Sequence, residues 1–225
     1  NQKSYAYDYA VDREAPKEIK GTLNKVPKNR FGELFFNSEP TVTFTGSDDV
    51  GIEKYFINGD EIKGESYKLK TGRYNVYAQD LLGNKSKVQD LKDVIGLESN
   101  SFVIDTKNPE IVSQRPKGSK NGWFGKDVTY DVNITDDIGI NSATVKINGK
   151  VVDSFEASES GVKETRLEGN TSKAEPNPGG LYSVVVDVED NAGNKSSWSD
   201  TIYIDKVAPS ISKFILTGNG VVEGV

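Results

Sequence analysis

The chain has 225 residues but no cysteine and no histidine, so it has no disulfides, no thiolate or zinc-cysteine chemistry, and none of the commonest general base. Its 34 acidic residues outnumber 28 basic ones, for a net charge of −6, and the basic residues are scattered rather than interleaved with aromatics, which argues against a nucleic-acid partner. No apolar run approaches the roughly 20 residues of a membrane span, so direct membrane insertion is not expected.

In chain order, Asn1 opens without Met or a signal pattern, so the sequence reads as an excised piece of a longer protein, with 1–11 the end of a preceding module or linker. Asp12 to Pro16 is the first of three Asp-x-x-x-Pro phrases. Strand-like runs follow at Val42 to Thr45 and Glu53 to Ile57, separated by Asp48-Asp49-Val50-Gly51-Ile52. Asn58-Gly59 after Ile57 predicts a two-residue hairpin turn, because Asn-Gly accepts the positive φ angles such a turn needs. Tyr74, Val76 and Ala78 alternate onto one strand face and lead into Asp80-Leu81-Leu82-Gly83-Asn84-Lys85-Ser86, and Phe102 to Ile104 ends this stretch.

Asp105 to Pro109 then restarts the pattern. Strands are predicted at Val128 to Ile134 and Ala143 to Ile147, with Asp136-Asp137-Ile138-Gly139-Ile140 between them and the Asn148-Gly149 turn after. Residues 157–180 are polar, end in Pro176-Asn177-Pro178-Gly179-Gly180, and read as a plain loop, with a functional insertion as the alternative. Tyr182, Val184, Val186 and Val188 share one face before Asp190-Asn191-Ala192-Gly193-Asn194-Lys195-Ser196. Ile202 to Ile204 closes the stretch, and Asp205 to Pro209 is the third phrase. No segment shows a sustained helical period.

These landmarks recur in one order, and successive prolines of the phrase lie 93 and 100 residues apart. That period exceeds solenoid repeats and suits a free-standing sandwich of about 100 residues. The expected organisation is all-β: tandem antiparallel β-sandwiches at 12–104 and 105–204, the start of a third at 205–225, arranged as an extended rod. Tyr74 and Tyr182, each shortly after a glycine and opening a strand, are candidate corner tyrosines and core residues. Trp123 and Phe124 are expected to pack at the start of a strand, as Phe36 does in the first module.

The run Gly122-Trp123-Phe124-Gly125-Lys126-Asp127-Val128-Thr129, followed by the Asp136, Asp190 and Asp205 motifs, resembles the bacterial Ig-like modules strung along secreted and cell-surface proteins, large adhesins among them. The first module departs from the pattern, with Phe36-Asn37-Ser38-Glu39-Pro40 and Leu81-Leu82 at the corresponding places. In the topology this resemblance implies, the linker into strand A lies at the same end as the B–C and F–G loops. The repeated acids fall on those segments: Asp105, Asp136, Asp137 and Asp190 in the second module, and Asp12, Asp48, Asp49 and Asp80 in the first. Carboxylates brought together need a compensating cation, and hard oxygen ligands on loops suit calcium. Some adhesins of this kind are similar in binding calcium between consecutive domains. The alternative is that the acids are turn formers.

The resemblance implies a monomeric, non-enzymatic spacer in a bacterial surface protein, extracellular or wall-bound, whose partners are neighbouring modules of the same chain. Binding of a host surface protein or glycan is the second reading, and an accessory module of an extracellular glycoside hydrolase the third. Paired carboxylates also serve glycoside hydrolysis, but adjacent acids repeated in each module suit a structural unit better than one active site. Trp123, Phe124 and Trp198 are candidate sugar-stacking faces, with packing as the plainer role. Asn84-Lys85-Ser86 and Asn194-Lys195-Ser196 match a glycosylation pattern and are read as loop residues.

Overall fold

Short alternating runs bury every second side chain, and this builds two β-sandwiches in the computed structural model, which describes residues 11–213. Of the flanking fragments expected at 1–11 and 205–225, all but Val11 and residues 205–213 lie outside that range.

The N-terminal sandwich begins with β1 (Lys17–Leu23), β2 (Lys28–Arg30), β3 (Glu33–Phe36) and β4 (Thr41–Ser47). It continues through β5 (Ile52–Ile57), β6 (Asp60–Glu61), β7 (Ser66–Lys68), β8 (Asn75–Asp80) and β9 (Gln89–Asp90), then helix α1 (Leu91–Ile95) and β10 (Phe102–Ile104). One sheet has the order β1-β4-β7 and another β6-β5-β8-β9. The β2–β3 hairpin joins β10, and β3 and β10 run parallel, with Phe36 opposite Ile104. The last strand is thus split by α1, a single turn that buries Leu91 and Val94 and stops at left-handed Gly96. Its five residues are too few to show a helical period, which is why the sequence hides it.

The C-terminal sandwich comprises β11 (Glu110–Ser113), β12 (Trp123–Phe124), β13 (Thr129–Thr135), β14 (Ile140–Ile147), β15 (Lys150–Glu156), β16 (Glu164–Asn170), β17 (Leu181–Asp190) and β18 (Lys195–Ile204). Its sheets are ordered β11-β13-β16 and β12-β18-β17-β14-β15. This is the Ig-like division, with A, B and E strands facing C, F and G strands. The sheets close on Tyr130, Ile134, Val145, Ile147, Val184 and Val186, none exposed. Truncating one of the large aliphatic side chains to Ala costs about 2 to 5 kcal/mol.

Every strand expected from the sequence is present, and both Asn-Gly turns have positive φ at both residues. Tyr74 makes the corner bond, its hydroxyl donating to the Lys70 carbonyl at 2.8 Å; Tyr182 is equally buried but makes no side-chain hydrogen bond to any described residue. Two expectations need correction. Residues 157–180 are not one loop, since β16 runs antiparallel to β13 from Glu164 to Asn170 and a 3-10 turn follows at Thr171–Lys173. The strand is hard to read because its inward positions are Leu167 and Gly169, and a Cβ on Gly169 would stand 2.9 Å from Val145 Cγ1. Trp123, expected to pack at the start of a strand, instead forms its own short strand parallel to β18. It remains 42% exposed beside Tyr203, with ring centroids 4.9 Å apart. No helix among the described residues is long and apolar enough to cross a membrane.

Candidate metal centres at the leading ends of the sandwiches

Loop chemistry places the acids. Four of the carboxylates cap a turn through Oδ1, accepting the amide two residues on: Asp12 from Glu14 at 2.9 Å, Asp48 from Val50 at 3.0 Å, Asp105 from Lys107 at 3.1 Å and Asp136 from Ile138 at 2.9 Å. Asp136 Oδ1 also accepts from Gly139 at 2.6 Å. The turn-forming role expected of these residues is therefore present, and it occupies one oxygen of each. The other oxygen, Oδ2, is buried without a hydrogen-bond partner among the described residues in Asp12, Asp105 and Asp136.

Three acids converge in each sandwich. Asp105, Asp136 and Asp190 each present an oxygen within 4.8 Å of the others, and so do Asp12, Asp48 and Asp80. That span fits a calcium ion, because ligands on opposite sides of an ion bonded at about 2.4 Å lie about 4.8 Å apart. Asp49 and Asp137 stand outside these groups: both are exposed, and Asp137 pairs with Lys107, which holds its carboxyl below the usual range. In the C-terminal cluster all three acids are buried, Asp105 at 3%, Asp136 at 8% and Asp190 at 0% exposure. In the N-terminal cluster only Asp80 is buried, and Asp12 and Asp48 are half-buried.

The third acid of each cluster is held by an asparagine four residues on. Asn194 donates its amide to Asp190 Oδ1 at 2.8 Å and its side-chain nitrogen to Oδ2 at 2.7 Å and to the Asp105 carbonyl at 3.0 Å. Asn84 does the same for Asp80, at 2.8 and 2.7 Å, and reaches the Asp12 carbonyl at 3.5 Å. These asparagines tie the F–G loop to the linker. Their signal in the sequence was the repeated Asp-x-x-Gly-Asn spacing, which reads equally as ordinary turn chemistry.

Asp105 joins the two sandwiches. Its amide donates to the Phe36 carbonyl of β3 at 2.9 Å, while its carboxylate belongs to the cluster of the C-terminal sandwich. The linker is fastened further on, where Ser196 Oγ donates to the Pro109 carbonyl at 2.5 Å. Burial pushes the Asp190 carboxyl up to about 6, with the Asp105 and Asp136 charges adding. It also pushes Asp105 up, again with Asp136 and Asp137 adding. Asp80 behaves oppositely: burial works to raise it, but hydrogen bonds from Asn84, Leu82 and Gly83 hold it below the usual carboxylate range. A cavity of about 290 Å³ lined by Lys107, Asn108, Glu110, Thr135, Asp136 and Asp137 opens beside the C-terminal cluster, and one of about 110 Å³ lies beside Asp48.

No protein-family model and no curated protein matches the chain. Among solved structures it is similar to the fibronectin(III)-like modules of Clostridium thermocellum CbhA, at 16% identity over 82% of this chain and 92% of that one, with a TM-score of 0.33. It is also similar to a Ca2+-stabilized adhesin with which an Antarctic bacterium reaches out and binds ice, at 15% identity over 83% of this chain and 49% of that one, with a TM-score of 0.27. A third likeness is to SGBP-B of the Bacteroides ovatus mixed-linkage glucan utilization locus, solved with a heptasaccharide, at 12% identity over 83% and 47%, with a TM-score of 0.23. At these identities and scores no functional role passes from those proteins to this one.

Proposed function

We propose that this chain is a non-catalytic stretch of Ig-like modules, 12–104 and 105–204, from an exported bacterial surface protein, and that calcium at the leading end of each module fixes the junctions so that the modules extend as a spacer. The observation that carries this reading is the pair of buried, unpartnered oxygens on Asp105 and Asp136, beside buried Asp190. Anionic oxygens removed from water with no donor are costly, and a divalent ion bound to all three carboxylates removes that cost. Asp105, Asp136 and Asp190 would hold the ion at the second junction, and Asp12, Asp48 and Asp80 at the first. Because Asp105 bonds the N-terminal sandwich through its amide, an ion on its carboxylate also stiffens the seam.

The test is calorimetric titration of calcium into chelator-stripped protein, with thermal unfolding alongside. Extracellular modules bind with Kd of about 0.1 to 1 mM, so 10 mM calcium stabilises by about 1.4 to 2.7 kcal/mol. The C-terminal sandwich should then melt roughly 5 °C higher or more, and Asp136→Asn should abolish that gain. Equal melting curves with calcium and with chelator would sink the reading.

A glycan-binding reading has one observation in its favour, the exposed Trp123 and Tyr203 pair. Saturable binding on a glycan array, lost in Trp123→Ala, would support it.

A further inference from the structure

The β2–β3 hairpin reaches out of its own sandwich. Arg30, at its tip, places Nη2 at 2.6 Å from Glu189 Oε1 and donates from Nη1 to the Asp190 carbonyl at 3.3 Å. The pair is well shielded, with the Arg30 and Glu189 side chains 18% and 23% exposed, whereas most ion pairs among the described residues are far more open. Burial works to raise the Glu189 carboxyl, but Arg30 and Lys195 more than offset it and hold it below the usual range. The Lys28 stem covers the same loop: a Cβ on Gly193 would stand 3.2 Å from Lys28 Cε, while at Gly83, the corresponding glycine of the N-terminal sandwich, no atom of the described residues lies within 4 Å.

The tip itself is strained. Phe31 and Gly32 have φ of 53° and 76°, the pattern of a two-residue turn that favours Asn-Gly. Three other turns of this chain, Asn58-Gly59, Asn121-Gly122 and Asn148-Gly149, do place Asn there. A bulky residue in the left-handed region costs energy and persists where its surroundings hold it. The matching hairpin of the C-terminal sandwich, around Asn121-Gly122, bridges only Lys120 to Trp123 and is shorter than β2–β3.

We infer that the β2–β3 hairpin is an intermodular strut, docked by Arg30 on Glu189 and on the Asp190 backbone, which fixes the angle between the sandwiches and positions the loop that presents Asp190. Arg30 is thus a positioning residue for the carboxylate cluster although it belongs to the other sandwich. The docking stands without the cation, and only its effect on calcium affinity rests on the calcium reading.

The chain has no native cysteine, so paired spin labels at Lys63→Cys and Glu156→Cys, both exposed and one in each sandwich, report the angle cleanly. In chelator, Arg30→Glu should broaden the distance distribution, and the exchanged pair Arg30→Glu with Glu189→Arg should narrow it again. Rescue by charge exchange separates docking from a general loss of folding. An unchanged distribution in Arg30→Glu overturns the strut whatever calcium does. In calcium, Arg30→Ala should weaken the C-terminal site about fivefold, the loss of one charge-assisted contact, and leave the N-terminal site unchanged. If wild type binds no calcium and Arg30→Glu still broadens, the strut holds and the cation reading falls.

Discussion

Asp80 and Asp190 sit at the same place in their sandwiches, yet their surroundings differ. Asp80 accepts from the amides of Leu82 and Asn84 and from the Asn84 side chain, while among the described residues the Asp190 carboxylate accepts from Asn194 alone and shares its site with two other buried acids. In the N-terminal cluster Asp80 is supplied with donors and Asp12 and Asp48 are half-buried, so less of its charge is left uncompensated, although Asp12 Oδ2 has no partner among the described residues. In the C-terminal cluster the charges are buried and short of donors, and the raised Asp190 records that deficit. Two sites with the same acids thus need a cation to different degrees.

The largest expected effect comes from the glycines of the loops between β4 and β5 and between β13 and β14. A Cβ on Gly139 would stand 2.1 Å from the Ser160 carbonyl oxygen and 2.5 Å from Asn191 Nδ2, inside a contact that pins the 157–163 segment onto the cluster. Gly139→Ala should cost on the order of 3 kcal/mol by overpacking and abolish the calcium response of the C-terminal sandwich. Gly51, its counterpart, would place a Cβ at an ordinary 3.7 Å from Leu81 Cδ1 but has a φ of 95°, so Gly51→Ala should cost only about 1 kcal/mol through backbone strain. Scanning calorimetry measures both losses, and tryptophan fluorescence identifies the C-terminal transition, because both tryptophans, Trp123 and Trp198, belong to that sandwich. Equal losses would mean that the Asn191 contact does not hold the loop.

Neutralising the two acids should give opposite signs. With its carboxyl at about 6 against an unfolded value near 3.9, Asp190 opposes folding of the metal-free protein at neutral pH by on the order of 3 kcal/mol. Asp190→Asn should therefore raise the melting temperature in chelator while removing the calcium response. Asp80→Asn should lower it, because the charged form is the one its donors favour. Two losses would refute the electrostatic contrast.

The strands read from the sequence and their inward positions were legible because alternation and Asn-Gly turns are local signals. So were the acids, since Asp105, Asp136 and Asp190 recur at matching landmarks with Asp12, Asp48 and Asp80. Two adjacent acids in a turn look alike in sequence, but Asp136 is buried at the turn amides while Asp137 is exposed beside Lys107. β16 was hidden because a strand whose inward residues are Leu167 and Gly169 carries little hydrophobic pattern. The Arg30 contact spans 159 residues, a separation at which composition and periodicity carry no information.

Acidity offers a gentler comparison. A raised carboxyl contributes stability that is full below its unfolded value and lost as pH rises through the folded one. For Asp190 that window runs from about 3.9 to about 6. Metal-free protein taken from pH 7 to 5 should thus gain stability in the C-terminal sandwich. Asp80 is lowered, so its contribution is present above about 3.9 and lost only as pH falls through its folded value, and the N-terminal sandwich should show no such gain. In calcium the sign reverses at the C-terminal site, because protons compete with the ion for Asp190. Tryptophan-detected melting that is flat between pH 7 and 5 in chelator would contradict the raised carboxyl.

The smallest effect tests the solvent side of the same contrast. Two residues after each linker acid the chain carries opposite charges, Glu14 after Asp12 and Lys107 after Asp105. Both are exposed and engaged in surface pairs, with Lys17 and Asp137. Pairs of this kind add little to stability, so Lys107→Glu should leave the metal-free melting temperature where it is. Its charge nonetheless lies within a Debye length of the cluster and opposes an incoming cation. The substitution should raise calcium affinity at the C-terminal site about two- to threefold at low salt, and Glu14→Lys should lower it at the N-terminal site by a similar factor. Both shifts should fade at 1 M salt, where the Debye length falls to about 3 Å. A salt-independent change would point to altered ligation by Asp105 or Asp12 rather than to field strength.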